Sequence, residues 1–341
     1  MQTIVVSAVN LRKGGTLTIL RQCLEYLSGR DDVKTIALVH DSKLCNYPGI
    51  EYIEIPWAVN SWAMRLWCEY VTMYGISRKL ARRFGSPVDV WLSLHDTTPN
   101  VIAKKQEVYC HTSFPFLKVK AHDWLMDPKI PLFAMLTKWA YRINVQRNIS
   151  IIVQQEWFAD ALSGLLKVPR EKFRVIPPAH PEPSSEVLTT PPDRHKFLYV
   201  STPDCHKNFE TLCEAARILE DEGLKFKVIM TVKGDENRYA RWLYEKYINV
   251  KSLDFHGLVD KKTLEELYRG AGTLVFPSRV ETWGLPISEY MAANGSGKLL
   301  LADEPYAHET SAGARSVAYF RTSDPVDLAE KMKQILNGRE Q

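Results

Sequence analysis

The chain has 341 residues, 45% of them hydrophobic and 25% charged, with a formal net charge of +4. That is longer than one hydrophobic core commonly grows, and ordinary enough in composition to exclude a disordered, collagen-like or low-complexity protein. The start lacks the basic region, apolar run and cleavage site of a secretory signal, no run reaches the roughly 20 apolar residues of a membrane span, and six scattered cysteines with no C-x-x-C pair exclude a zinc or disulfide framework.

Taken in chain order, the first half shows short β-branched runs at Thr3–Val9, Lys34–His40, Val88–Leu94, Glu107–His111 and Ile149–Gln154. Helical patterns lie between them, the first over Thr16–Ser28 with Leu17, Leu20, Leu24 and Leu27 on one face. The densest apolar stretch, Ile130–Val145, is broken by Lys138 and Arg142 and is not a span. Ile176–Asp193 is too rich in proline to continue a strand or helix and reads as a linker. Beyond it the alternation restarts with runs at Lys196–Ser201, Lys225–Val232, Val250–Gly257, Gly272–Ser278, Gly297–Asp303 and Ser316–Phe320. This predicts an α/β protein of two facing Rossmann-like domains, 1–180 and 181–323, with mostly parallel sheets and ligands at the strands' carboxyl ends in the cleft between them. A last helix within 324–341 is expected, one that can cross back to the first domain.

Charge divides unevenly. Residues 1–180 carry 23 basic against 15 acidic side chains (+8), and 181–341 carry 21 against 25 (−4). Between Trp57 and Gly85, Trp57, Trp62, Trp67, Tyr70, Tyr74 and Phe84 are interleaved with Arg65, Arg78, Lys79, Arg82 and Arg83. Such a stretch suits an anionic membrane surface; a core-facing helix with a solvated basic face gives the same pattern. No nucleic-acid motif accompanies the charge.

Three places carry chemistry. Gly14 and Gly15 stand between the first strand and first helix, where a backbone can approach a phosphate closely; a turn glycine reads equally well. Lys207 falls at a helix start, a locally unfavourable place for a cation unless an anion is bound there; an exposed lysine beside a capping Asp204 or Asn208 is the plainer reading. Third, Ser278–Asn294 runs from a strand end through a Gly284-Leu285-Pro286 turn into a helix, with Glu281 before the turn and Glu289 one turn inside. Donors for an anion and two acceptors for hydroxyls together suit a sugar nucleotide, whereas a dipole partner and a solvated acid would be the structural alternative.

The spacing of Glu281 and Glu289 within "PSRVETWGLPISEYMA" resembles the E-x7-E signature of glycosyltransferase family 4, retaining enzymes of GT-B fold. Support comes from "KGG" after the first strand, "YCHTSFPF", "HKN" at Lys207 and "FHGLVDKKTLEELYRGAGTLVFPS". The resemblance covers about residues 10–295. It implies that Glu281 holds donor-sugar hydroxyls, Glu289 the ribose, Gly284 and Leu285 the sugar and diphosphate, and Lys207 the diphosphate. It also implies that Gly15, beside Gly14, approaches from the first domain, that Gly257 and Leu258 meet the base, and that His111 stands near the reacting sugar. Two positions depart from the family: Thr202 stands where an Arg is usual, a loss that Arg12 or Lys13 could make good, and "IPPA" replaces the common "IPNG".

The expected activity is metal-independent, retaining transfer of a hexose from a UDP- or GDP-hexose to a glycan, on the resemblance, the phosphate-type helix starts and the absence of D-x-D. The basic, aromatic first half adds a lipid-linked acceptor in surface polysaccharide synthesis, and a cytoplasmic protein peripheral on the inner face of the membrane. No cofactor and no nucleic acid is expected. The alternatives are an epimerase of the same fold, a glycoside hydrolase with paired carboxylates, and a non-catalytic sugar-nucleotide binder.

Overall fold

The structure, a computed structural model, describes residues 1–179 and 191–338, so most of the expected linker lies outside the described residues. The chain divides into two compact units: Met1–Thr112 with Leu136–Pro178, and Ser113–Met135 with Ala179–Gln341. Ser113–Met135, which a division at residue 180 leaves in the first domain, packs with the second unit.

The first unit is built on a seven-stranded, wholly parallel sheet. Its strands are β1 (Gln2–Ala8), β2 (Val33–Val39), β3 (Ile50–Glu54), β4 (Val88–Ser93), β5 (Ala103–Tyr109), β6 (Asn148–Val153) and β7 (Phe173–Val175). They lie in the order β3-β2-β1-β4-β5-β6-β7. A parallel sheet buries both faces, and strands such as β1, β2 and β6 accordingly read as largely apolar runs; Val5, Val6, Ile36, Leu38, Trp91 and Ile151 are wholly buried. Helix α1 (Gly14–Ser28) covers one face through Leu20, Leu24 and Leu27, at the spacing read from the sequence. On the other, α2 (Trp62–Trp67), a π turn (Cys68–Thr72) and α3 (Met73–Phe84) follow without a break. Met73, Ser77 and Leu80 face inward while Arg78, Lys79, Arg82 and Arg83 are exposed, so α3 is a core-facing helix with a solvated basic face. Trp57 and Phe84 pack on the core, and Arg65 is ion-paired with Glu69. In sequence, α4 (Ala121–Met126), which belongs to the second unit, α5 (Lys129–Arg142), whose first half does too, and α6 (Glu156–Leu166) of the first unit fall between β5 and β7.

The second unit has a six-stranded parallel sheet. The order β10-β9-β8-β11-β12-β13 joins β8 (Asp193–Tyr199), β9 (Lys227–Met230), β10 (Leu253–Phe255), β11 (Ala271–Phe276), β12 (Lys298–Ala302) and β13 (Val317–Phe320). Its helices are α7 (Phe209–Asp221), α8 (Arg238–Tyr247), α9 (Lys261–Gly270), α10 (Leu285–Ala293), α11 (Pro305–Thr310) and α12 (Pro325–Leu336). Phe209, Leu212, Ala216 and Leu219 of α7 turn inward at helical spacing. The last helix, α12, lies against α7 within this unit, where Lys333 Nζ meets Glu222 Oε2 at 2.6 Å.

Candidate functional site

In the second sheet β8 and β11 are neighbours, and the chain leaves them toward opposite edges of the sheet. Loops at such a switch point part from one another and leave a crevice at the strands' carboxyl ends, where open α/β sheets bind ligands. The loop after β8 ends in a short 3-10 turn, Cys205–Lys207, and leads into α7; the loop after β11 carries Ser278, Arg279 and Glu281 and leads into α10. Backbone and side-chain bonds lock the two together, Asn208 Nδ2 donating to Pro277 O at 3.0 Å and Arg279 N to His206 O at 2.8 Å.

Across this junction Lys207 Nζ meets Glu281 Oε1 at 2.5 Å, and Ser278 Oγ donates to the same oxygen at 2.6 Å. Both side chains are about one-seventh exposed, at 15% and 14%. The bland readings, an exposed lysine and a solvated acid, are not what the structure has. Tyr199, fully buried, donates its hydroxyl to Lys207 O at 2.7 Å and so fixes the backbone from which the lysine springs. Ahead of α10, Gly284 adopts φ +81°, a conformation that disfavours a Cβ, and no side chain caps the helix start that follows. Glu289, one turn inside α10, accepts from Tyr268 OH at 2.8 Å. Burial, and then the neighbouring Glu289, push the Tyr268 phenol well above its ordinary range, so it stays a donor.

The other residues expected to meet the donor follow the carboxyl ends of β8 and β10. Thr202 donates Oγ1 to Asp204 Oδ2 at 2.8 Å. Gly257, at φ +88°, follows β10, and Leu258 beside it is 90% exposed.

A second ion pair underlies the first, and its partner comes from far away in sequence. Arg279 forks onto Asp123, at 2.6 Å to Oδ1 and 3.1 Å to Oδ2, with side chains only 4% and 2% exposed. The same guanidinium donates to Cys205 O and Lys118 O, both at 3.2 Å. It therefore ties the lysine loop, the glutamate loop and the segment Ser113–Met135 to one point. Nearby, the Phe114 ring meets His206 edge-on with centroids 4.9 Å apart. Burial, then Lys207 and Arg279, push the His206 imidazole well below its ordinary range, so it stands neutral beside two cations.

In the first unit, Gly14 opens α1 at φ +60°, with Arg12, Lys13 and Gly15 exposed around it. The switch point of this sheet lies between β1 and β4, so the same corner holds the turn after β4, where sequence reading saw nothing. Asp96 there adopts φ +70°, unusual for a residue with a side chain. Its carboxylate accepts from His111 N at 2.7 Å, Thr112 N at 3.0 Å and Thr112 Oγ1 at 2.8 Å, and faces His111 Nε2 at 3.4 Å. His111 is thus held by a carboxylate from the next strand. Beside it, wholly buried His95 meets Ser7 Oγ at 3.1 Å and Glu69 Oε1 at 3.2 Å, and Glu69 also takes Arg65 Nε at 2.8 Å and the Thr97 hydroxyl. The signal available was "HD" straight after an apolar strand.

This geometry can be set beside known proteins. Residues 182–341 match the family model for glycosyl transferases group 1. Among curated proteins, the O-antigen chain mannosyltransferase RfbU of Salmonella typhimurium is 23% identical over 243 residues, 70% of this chain and 63% of that protein. The match therefore spans less than two thirds of that relative's length. Sucrose-phosphate synthase from Thermosynechococcus elongatus superposes with TM-score 0.69 at 16% identity, over 99% of this chain and 90% of that one. The lipopolysaccharide outer core galactosyltransferase WaaB gives 0.66 at 11%, over 100% and 92%. Anabaena HepE, solved with UDP and glucose, gives 0.62 at 11%, over 98% and 89%. At these identities the likeness is one of fold: two parallel-sheet α/β domains of the GT-B type.

Proposed function

We propose that the protein is a retaining glycosyltransferase of family 4 type that moves a hexose from a UDP- or GDP-hexose to a glycan carried on a lipid, in the synthesis of a surface polysaccharide. The observation that carries the reading is the Lys207–Glu281 contact at the switch point, beside the uncapped start of α10. The family match over the second half and a mannosyltransferase relative support it.

In the reaction the bond from the anomeric carbon to the diphosphate oxygen breaks, the acceptor oxygen bonds that carbon, and the acceptor's proton leaves with the phosphate. Negative charge grows on the departing diphosphate while positive character grows on the sugar. Lys207 and the amides at Gly284 and Leu285 stand ready for the first, as fixed donors that need no reorganisation. An ammonium has three donors, so Lys207 can keep Glu281 while it takes a phosphate oxygen. Glu281, oriented by Ser278, sorts sugar hydroxyls; Glu289, held by Tyr268, takes the ribose; backbone at Gly257 and Leu258 meets the base. His111, Gly14 and Gly15 are the first unit's contributions, and Thr202 leaves the diphosphate without the family's usual second cation in its loop. Lys207 and the helix starts carry the countercharge in this reading, so it calls for no metal, and chelator should leave turnover unchanged.

The test is calorimetry with a panel of sugar nucleotides, followed by donor turnover with and without glycan acceptor. Binding of one sugar nucleotide and turnover that requires acceptor are expected. Acceptor-independent conversion of the donor would replace transfer with epimerisation or hydrolysis, and binding without turnover would leave a binding protein. The anionic face of a membrane is the surface on which such an acceptor would be met, with the first unit's basic excess toward it.

A further inference from the structure

Helix α5 is inside out. A surface helix ordinarily turns its large apolar side chains to the core and polar ones to water. Here the inward positions hold Ala134, Thr137, Ala140 and Tyr141, all buried. Leu132 (50% exposed), Met135 (54%), Leu136 (44%), Trp139 (57%) and, just past the last turn, Ile143 (44%) face solvent. At about 100° per residue these five fall within an arc of roughly 100°, a single stripe along one side. The only charged residues of the helix are Lys129, Lys138 and Arg142, all basic. Lys138 Nζ and Arg142 Cζ lie 5.6 and 5.2 Å from the centroid of the Trp139 ring.

We infer that this stripe is the element that enters an anionic lipid surface, with α5 lying in the plane of the headgroups. Three features select that occupant. An unbroken apolar stripe flanked by cations matches a layer whose interior is hydrocarbon and whose rim is negative. A tryptophan with basic side chains over its ring suits the headgroup boundary, where amphipathic rings and cations gather. The core of an interface between two copies would instead be depleted in lysine. At 14 residues, with one side buried, the helix lies on a bilayer and does not cross it, and among the described residues no helix is long and apolar enough to cross.

The inference deepens the membrane-side part of the proposed function and is independent of the donor site. It is tested by co-sedimenting the full chain with phosphatidylcholine vesicles, with and without roughly 30 mol% phosphatidylglycerol. The double variant Leu136→Ser/Trp139→Ser is compared with Arg78→Ser/Arg82→Ser on α3. Wild type should pellet with the anionic vesicles. The α5 variant should lose partitioning by about tenfold or more, the α3 variant by about threefold or less, and both should keep the wild-type midpoint of denaturant unfolding, which shows that they are folded. Should the α5 variant pellet like wild type while the α3 variant does not, the stripe is not the contact although the membrane reading stands. Failure of wild type to pellet would overturn both. A concentration-dependent dimer that the α5 substitutions abolish, without vesicle binding, would assign the stripe to a second copy and overturn the inference.

Discussion

The two sheets have the same winding, yet their switch points are furnished differently. In the second unit the corner between β8 and β11 presents partly exposed charge, Lys207 and Glu281, next to an uncapped helix start. In the first, the corner between β1 and β4 holds buried charge satisfied from within: Glu69 takes Arg65, Thr97 and His95, and Asp96 is spent on the backbone and ring of His111. Groups that keep some exposure and spare hydrogen-bonding capacity can receive a ligand, while fully buried groups with their bonds already made set positions. On the proposed reading the first corner frames one histidine and the second receives an anion.

Substitutions can break this contrast, beginning where the effect should be greatest. Glu281→Ala should lower turnover about 100-fold or more, since it removes both a hydroxyl acceptor and the partner that places Lys207. Steady-state kinetics with saturating acceptor would show it, and a rate near wild type would take Glu281 out of the machinery. Asp123→Ala leaves the buried Arg279 guanidinium unpaired and should cost about 3–5 kcal/mol, read from denaturant unfolding of the second unit. A change under about 1 kcal/mol would mean that the clasp carries no weight. Tyr268→Phe should weaken donor binding only about three- to tenfold, the value of one hydrogen bond to a carboxylate that remains in place.

A pH effect sharpens the first corner. Burial, partly offset by Glu69, pushes the His95 imidazole down to about 4, against 6.5 for the unperturbed group. Neutral His95 belongs to the folded state, so the unfolded chain binds the extra proton between those values. The contribution is fully present above about pH 6.5 and is lost as pH falls toward about 4. His95→Gln should flatten the fall in stability over that window, and an unaltered slope would remove His95 as its source.

Much of this was legible in the residues, for reasons that can be named. Central strands such as β2, β4 and β11 bury both faces and read as apolar runs. The edge strands β3 and β7 escaped because each pairs on one side only and carries the polar residues that an edge tolerates, as in Ile50–Glu54. Glu281, Glu289 and Lys207 can be singled out as candidates because what marks them is local, a carboxylate or cation within about a turn of a helix start. Asp123 was not, since its partner Arg279 lies 156 residues away and nothing near Asp123 signals a buried ion pair. Asp96 was missed for a related reason: its role depends on a left-handed backbone and on its neighbour strand β5, neither of which the letters state. The stripe on α5 was read only as an apolar run, because its outward direction is a property of the fold.

The central claim is that the corner between β8 and β11 receives a diphosphate through Lys207. Isothermal titration of UDP and GDP, with uridine and guanosine as controls, into wild type and Lys207→Ala addresses it directly. One nucleoside diphosphate should bind wild type and lose about 100-fold in affinity in the variant, while the matching nucleoside binds both weakly and alike. Equal affinity of the diphosphate for the two proteins would contradict the account.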